Sequence, residues 1–112
     1  MYRYDKLLAG ASWVDEYGDP DNPEEWSFIS KYSPYQNVFA DKNYPEIYFY
    51  TSTKDDRVHP GHARKMAKKM LDQGHEVIYY DNIEGGHSAA ANLKQSAYMT
   101  TLQLEYLKDK LL

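Results

Sequence analysis

The chain has 112 residues and a formal net charge of −4, with 13 lysines and arginines scattered among 17 acids. That balance argues against an electrostatic nucleic-acid footprint. The absence of cysteine excludes a disulfide frame or a thiolate metal site, and no apolar run approaches the ~20 residues that cross a membrane.

One modest core fits this length, burying somewhat under ~70% of the unfolded surface. No repeat or linker-like stretch divides the chain. Twelve tyrosines and two tryptophans point to a packed aromatic core or an interface. Met1-Tyr2-Arg3-Tyr4-Asp5 does not lead into a signal-type apolar region, so a cytoplasmic setting is expected.

From Tyr2 to Tyr17 the spacing predicts a helix whose face carries Tyr4, Leu7, Leu8, Ala11 and a Trp13/Tyr17 pair at i, i+4. Gly18-Asp19-Pro20-Asp21 is a turn. Asn22-Pro23-Glu24-Glu25 then starts a second helix, with a capping side chain and proline at the first position, and Ser33-Pro34 ends it. Glu46 to Ser52 is a β-branched and aromatic run too continuous to alternate, as in a strand covered on both faces. Between Pro60 and Gln73 the positions Ala63, Met66, Ala67, Met70 and Leu71 follow helical spacing, with Gly74 as the cap. His75 to Tyr80 is a second strand, making 46–80 a strand-helix-strand unit with parallel strands and a right-handed crossover. Ser88 to Leu112 closes the chain as a long helix with Leu93, Ala97, Leu104, Leu107 and Leu111 on one stripe.

Chemistry gathers past the carboxyl ends of parallel strands, where loops present side chains into a crevice. Asp55-Asp56-Arg57-Val58 and Gly85-Gly86-His87 both lie there, in the Asp-then-His order of the α/β-hydrolase triad. An aspartate accepting from Nδ1 fixes the histidine tautomer, and Nε2 takes the nucleophile's proton. On pattern alone a second reading is equally good: the acids cap the middle helix and His87 caps the last. No Gly-x-Ser-x-Gly elbow occurs in the 112 residues. Ser12, Ser52 and Ser88 are the alternative nucleophiles, Ser52 the least poor of them. His59-Pro60-Gly61-His62 with Asp55 or Asp56 is a loose metal spacing, and its histidines read better as solvated residues at a helix start. His75 reads as a residue facing a helix C-terminus.

Trp13-Val14-Asp15-Glu16-Tyr17-Gly18, Lys31 to Val38, Asp55-Asp56-Arg57-Val58-His59-Pro60 and Glu84-Gly85-Gly86-His87 together resemble, over essentially the whole chain, the C-terminal part of the prolyl oligopeptidase family of serine peptidases. The resemblance implies part of an α/β-hydrolase catalytic domain over 1–112, without the nucleophile-bearing half or the family's propeller. It implies Asp55 as triad acid and His87 as triad base, with Arg57 on a backbone carbonyl of the substrate. Trp13 would stack on the substrate proline, with Tyr17 and Val58 completing that pocket. On residue pattern alone, Trp13 and Tyr17 are an ordinary aromatic core pair.

The implied reaction is cleavage on the carboxyl side of proline, without cofactor or metal, on proline-containing peptides in the complete enzyme; the chain alone is expected to be inactive. The rival expectation is a non-catalytic product of a split or decayed gene that docks onto the rest of the peptidase. A third, a small hydrolase with metal on His59, His62 and Asp55, predicts a chelatable ion. In either of the first two cases an exposed strand edge and apolar sheet surface predict a homodimer or association with the missing half.

Overall fold

The computed structural model describes residues 1–83, 85–86 and 92–112. The stretch expected as one helix from Tyr2 is instead two 3-10 turns, Tyr4–Lys6 and Leu8–Trp13, followed by a single α turn, α1 (Val14–Tyr17). The break falls at Leu7, which is extended, and at Leu8, which adopts φ 51. Its cause lies in Tyr4 and Gly10. The buried Tyr4 hydroxyl donates to the Gly18 carbonyl at 2.7 Å, so the chain has to wrap around the ring. The backbone of Gly10 then passes so close that a Cβ there would lie 1.7 Å from the Tyr4 carbonyl oxygen. A straight helix permits neither contact.

Helix α2 (Pro23–Tyr32) starts as the sequence dictates: the Asn22 side chain accepts from the Glu24 amide at 3.0 Å, and Pro23 occupies the first turn. It buries Ile29 completely. Strands β1 (Ile47–Ser52) and β2 (Val77–Asn82) pair in parallel, in register from Ile47 against Val77 to Ser52 against Asn82. Helix α3 (Gly61–Asp72) joins them, lies directly against both strands and buries Ala67 and Met70. Its end is closed by Gly74 at φ 85, with the His75 amide donating to the Met70 carbonyl and the Gly74 amide to that of Leu71, each at 3.0 Å. His75 does not face that helix end; its Nε2 lies 3.0 Å from the Phe39 carbonyl.

Alternation sends Tyr48, Tyr50, Ser52, Tyr80 and Asn82 to the sheet face opposite Thr51, Thr53, Tyr79 and Asp81. The first set meets helix α4 (Leu93–Leu111), where Tyr48 packs on Tyr106, Tyr80 on Tyr98, and the Asn82 amide on Met99. The expected leucine stripe is not the buried one: Leu93 and Leu111 are 88% and 74% exposed, whereas Met99 is 5% exposed. Met99 and Tyr106 turn inward because the sheet offers them partners, the Tyr106 hydroxyl donating to the Glu46 carbonyl at 2.5 Å. Nor is β1 fully covered on both faces, since Tyr50 remains half exposed.

On the other face α3 and the strand ends are tied by a polar fork. Arg64 donates from Nε (3.1 Å) and Nη2 (2.6 Å) to Asp81 Oδ2, Thr53 Oγ1 donates to Asp81 Oδ1 at 2.8 Å, and the Tyr79 hydroxyl reaches Oδ2 at 3.2 Å.

Candidate active site

The chain leaves β1 through a tight turn in which the Asp55 amide donates to the Ser52 carbonyl. Asp55 Oδ1 accepts from the backbone amides of Arg57 (2.9 Å) and Val58 (2.8 Å). Asp55 thus organises its own loop and does not cap α3, whose first amide, that of Gly61, is held by His59 Nδ1 at 3.0 Å. An anionic oxygen holding two amides keeps the carboxylate in one orientation.

The chain leaves β2 toward Gly85, and Ser52 binds that exit. Its hydroxyl, 2% exposed, donates to the Gly85 carbonyl and lies 3.2 Å from that of Asn82. Gly86, immediately before His87, lies against the segment immediately before Asp55: a Cβ on it would stand 3.8 Å from the Lys54 carbonyl oxygen. The two strand-end loops therefore meet. His87 and Ser88 are outside the described residues. The last helix is capped by Asn92, whose side chain accepts from the Gln95 amide at 3.0 Å, and not at position 87.

Trp13 and Tyr17 stand one helical turn apart beyond the break at Leu7, Trp13 partly exposed and Tyr17 39% exposed, edge-on to Tyr4. Their stretch is joined to the Asp55 loop by one main-chain bond, from the Ala9 amide to the Arg57 carbonyl at 3.3 Å. Arg57 and Val58 are exposed on that loop. A cavity of about 330 Å³ adjoins it, lined by Arg3, Leu7, Tyr35, His59, His62 and Lys65 among others, and neither Trp13 nor Tyr17 lines it.

The remaining candidates fall away on geometry. Ser12 sits in a 3-10 turn with its hydroxyl on the Ala9 carbonyl at 2.6 Å, and Ser52 is buried between carbonyls, so neither presents Oγ on a strand-to-helix elbow. His59 accepts from the Gly61 amide at Nδ1, and burial, with the nearby terminal ammonium, His59 and Lys65, holds His62 below the usual histidine range. Among the described residues the metal-type side chains that converge are Asp5, Asp19 and Asp21, and not His59, His62 and Asp55. Lys6 already bridges Asp5 and Asp21 at 2.9 and 2.6 Å.

The prolyl oligopeptidase family pattern matches residues 1–112. The chain belongs to that family. It is 53% identical over its whole length to an uncharacterised peptidase of Sinorhizobium fredii, of which it covers 15%. It is 35% identical to an uncharacterised peptidase of Rickettsia prowazekii, over 96% of this chain and 16% of the relative. Among solved structures it superposes on a post-proline cleaving enzyme from Rickettsia typhi with a TM-score of 0.84 and 34% identity, over 96% of this chain and 16% of that one. A second match, to a structure from a study of two prolyl endopeptidases, has a TM-score of 0.90 at 28% identity with the same coverage. The strand-helix-strand unit and its flanking helices are thus part of an α/β-hydrolase fold, and the chain spans about 15% of the length of the first of these relatives. Among the described residues no helix is long and apolar enough to cross a membrane.

Proposed function

We propose that these residues supply two members of a serine-peptidase triad, Asp55 as acid and His87 as base, in an enzyme that cleaves peptides on the carboxyl side of proline. The observation that carries this reading is the meeting of the Asp55 turn with Gly86 at the carboxyl ends of adjacent parallel strands, in a member of the prolyl oligopeptidase family. Asp55, held by two amides, would orient the His87 imidazole and stabilise its protonated form. His87 would take the proton of a serine hydroxyl as it attacks the scissile carbonyl, then return it to the departing amine as the acyl-enzyme forms. Arg57 would donate to a substrate carbonyl, and Trp13, with Tyr17 and Val58, would offer a flat surface to the proline ring.

The serine belongs to a segment outside these 112 residues, so the chain alone is proposed to be inactive. The test places residues 1–112 in the matching segment of a prolyl oligopeptidase and measures cleavage of a chromogenic prolyl peptide. Activity lost in Asp55→Asn and in His87→Ala supports the assignment. Activity surviving both overturns it; cleavage by the chain alone that both substitutions abolish keeps the assignment and overturns the proposed inactivity of the isolated chain.

A second reading concerns partners. Leu93, Leu104, Leu107 and Leu111 are 46 to 88% exposed on α4, and among the described residues the two-stranded sheet leaves each strand with a free edge. This surface would dock the rest of the peptidase or, without it, a second copy of the chain. Sedimentation equilibrium at micromolar concentration gives a dimer on this reading; a stable, cooperatively unfolding monomer overturns the homodimer, and no complex with the remainder of the domain overturns the docking.

A further inference from the structure

The Arg64–Asp81–Thr53 fork lies at the same strand ends as the candidate triad. Thr53 stands two residues before Asp55, and Asp81 is the penultimate residue of β2, on the strand that leads to His87. Both oxygens of the Asp81 carboxylate are occupied, Oδ1 by Thr53 and Oδ2 by Arg64 and Tyr79. Arg64 Nη2 also lies 3.4 Å from Thr53 Oγ1, which closes a triangle between α3, β1 and β2. A planar guanidinium and a planar carboxylate meeting at two donors define an angle as well as a distance.

Ser52, the neighbour of Thr53, points to the opposite face and holds Gly85. The end of β1 is therefore pinned to the exit of β2 on both faces, by Ser52 on the α4 side and by the fork on the α3 side. With one pin gone, the turn that carries Asp55 would pivot about the other. Triad geometry tolerates little of this, since a displacement of ~1 Å at a reacting group costs on the order of a hundredfold in rate. The Arg64–Asp81 pair is too exposed, at 45% and 21% of the side chains, to contribute much to folding, so its use lies elsewhere than in bulk stability.

We infer that Arg64, Asp81 and Thr53 are positioning residues, which fix the Asp55 loop relative to the loop that carries His87; the inference rests on the triad assignment above. Two measurements test it. In the 112-residue chain, amide hydrogen exchange at Arg57 and Val58, the amides held by Asp55, is expected to accelerate about tenfold in Asp81→Asn and in Thr53→Val, and to return near its original rate in Thr53→Ser. Unchanged exchange overturns the inference without touching the triad assignment.

In a prolyl oligopeptidase carrying these residues, assayed well below its melting temperature, Arg64→Ala and Asp81→Asn are expected to lower kcat about tenfold with KM within about twofold. Arg64→Lys would restore only part of the loss, because it keeps the charge and not the fork. Unchanged kcat in Asp81→Asn while Asp55→Asn is inactive makes the fork a mere strut and overturns the inference. Full activity in Asp55→Asn overturns the triad assignment itself. Should Arg64→Ala fail to fold, the pair Thr53→Val and Thr53→Ser, which differ in little more than a hydroxyl and a methyl, decides the matter by the same readouts.

Discussion

The two faces of the sheet are sealed by different means. On the α3 face, short and aliphatic side chains let the helix lie directly on the strands: Ala67 and Met70 are 4% and 0% exposed, and polar groups appear only at the site end. On the α4 face the spacing is filled by rings, with Tyr48 against Tyr106 at 5.5 Å between centroids and Tyr80 against Tyr98 at 5.9 Å. There the helix is tethered at two places, by Tyr106 and Lys110 on Glu46 and by Met99 on Asn82, while Leu93, Leu104, Leu107 and Leu111 are exposed. The first face derives its strength from excluded volume. The second combines aromatic contact with a few directed bonds and leaves an apolar stripe exposed.

The contrast predicts unequal responses to equal chemistry. Met70→Ala removes a fully buried side chain from the tighter face and is expected to cost about 2–5 kcal/mol in urea unfolding. Met99→Ala is expected to cost less, at the lower end of that range, about 2 kcal/mol, because rings on an open face can relax into the space; equal losses would erase the distinction. Tyr106→Phe keeps the ring and deletes the bond to Glu46, for about 1 kcal/mol, and a loss as large as that of Met99→Ala would mean that tethers, not rings, hold α4.

The smallest effect concerns pH. Burial pushes the Asp81 carboxyl up, but donation from Arg64 and Thr53 outweighs it and leaves the group below its ordinary value of 3.8. A carboxyl depressed in the folded state adds stability above that ordinary value and loses it as pH falls through the folded one. The difference in urea midpoint between the native chain and Asp81→Asn should therefore be present at pH 7 and shrink below about pH 4. A difference that persists at low pH would assign the fork's contribution to shape and not to charge.

The strand-helix-strand unit was legible because each part announces itself locally. Helical spacing runs from Ala63 to Leu71, Gly74 has the freedom the helix end demands, and Asn22-Pro23 is a start that needs no tertiary help. The first stretch misled because the spacing of Tyr4, Trp13 and Tyr17 suits a helix, while the Tyr4 hydroxyl is claimed by Gly18, fourteen residues away. On α4 two apolar stripes compete, and leucine outranks methionine and tyrosine until the sheet supplies Glu46 and Asn82 as partners. At the candidate site, parallel strands alone bring Asp55 near Gly86. The fork was invisible because the rotation of α3 over the sheet decides whether Arg64 reaches Asp81, and no local pattern encodes that rotation. A signal was nonetheless present: Thr53 and Asp81 fall on the same pleat, one residue beyond the end of β1 and one before the end of β2.

The bond from the Ala9 amide to the Arg57 carbonyl joins the stretch bearing Trp13 to the loop bearing Asp55, main chain to main chain. Such a joint is indifferent to which side chains flank it. Side chains on either side of it can be exchanged without breaking it. A proline at position 9 is the change that would unfasten it, because it alone removes the donor.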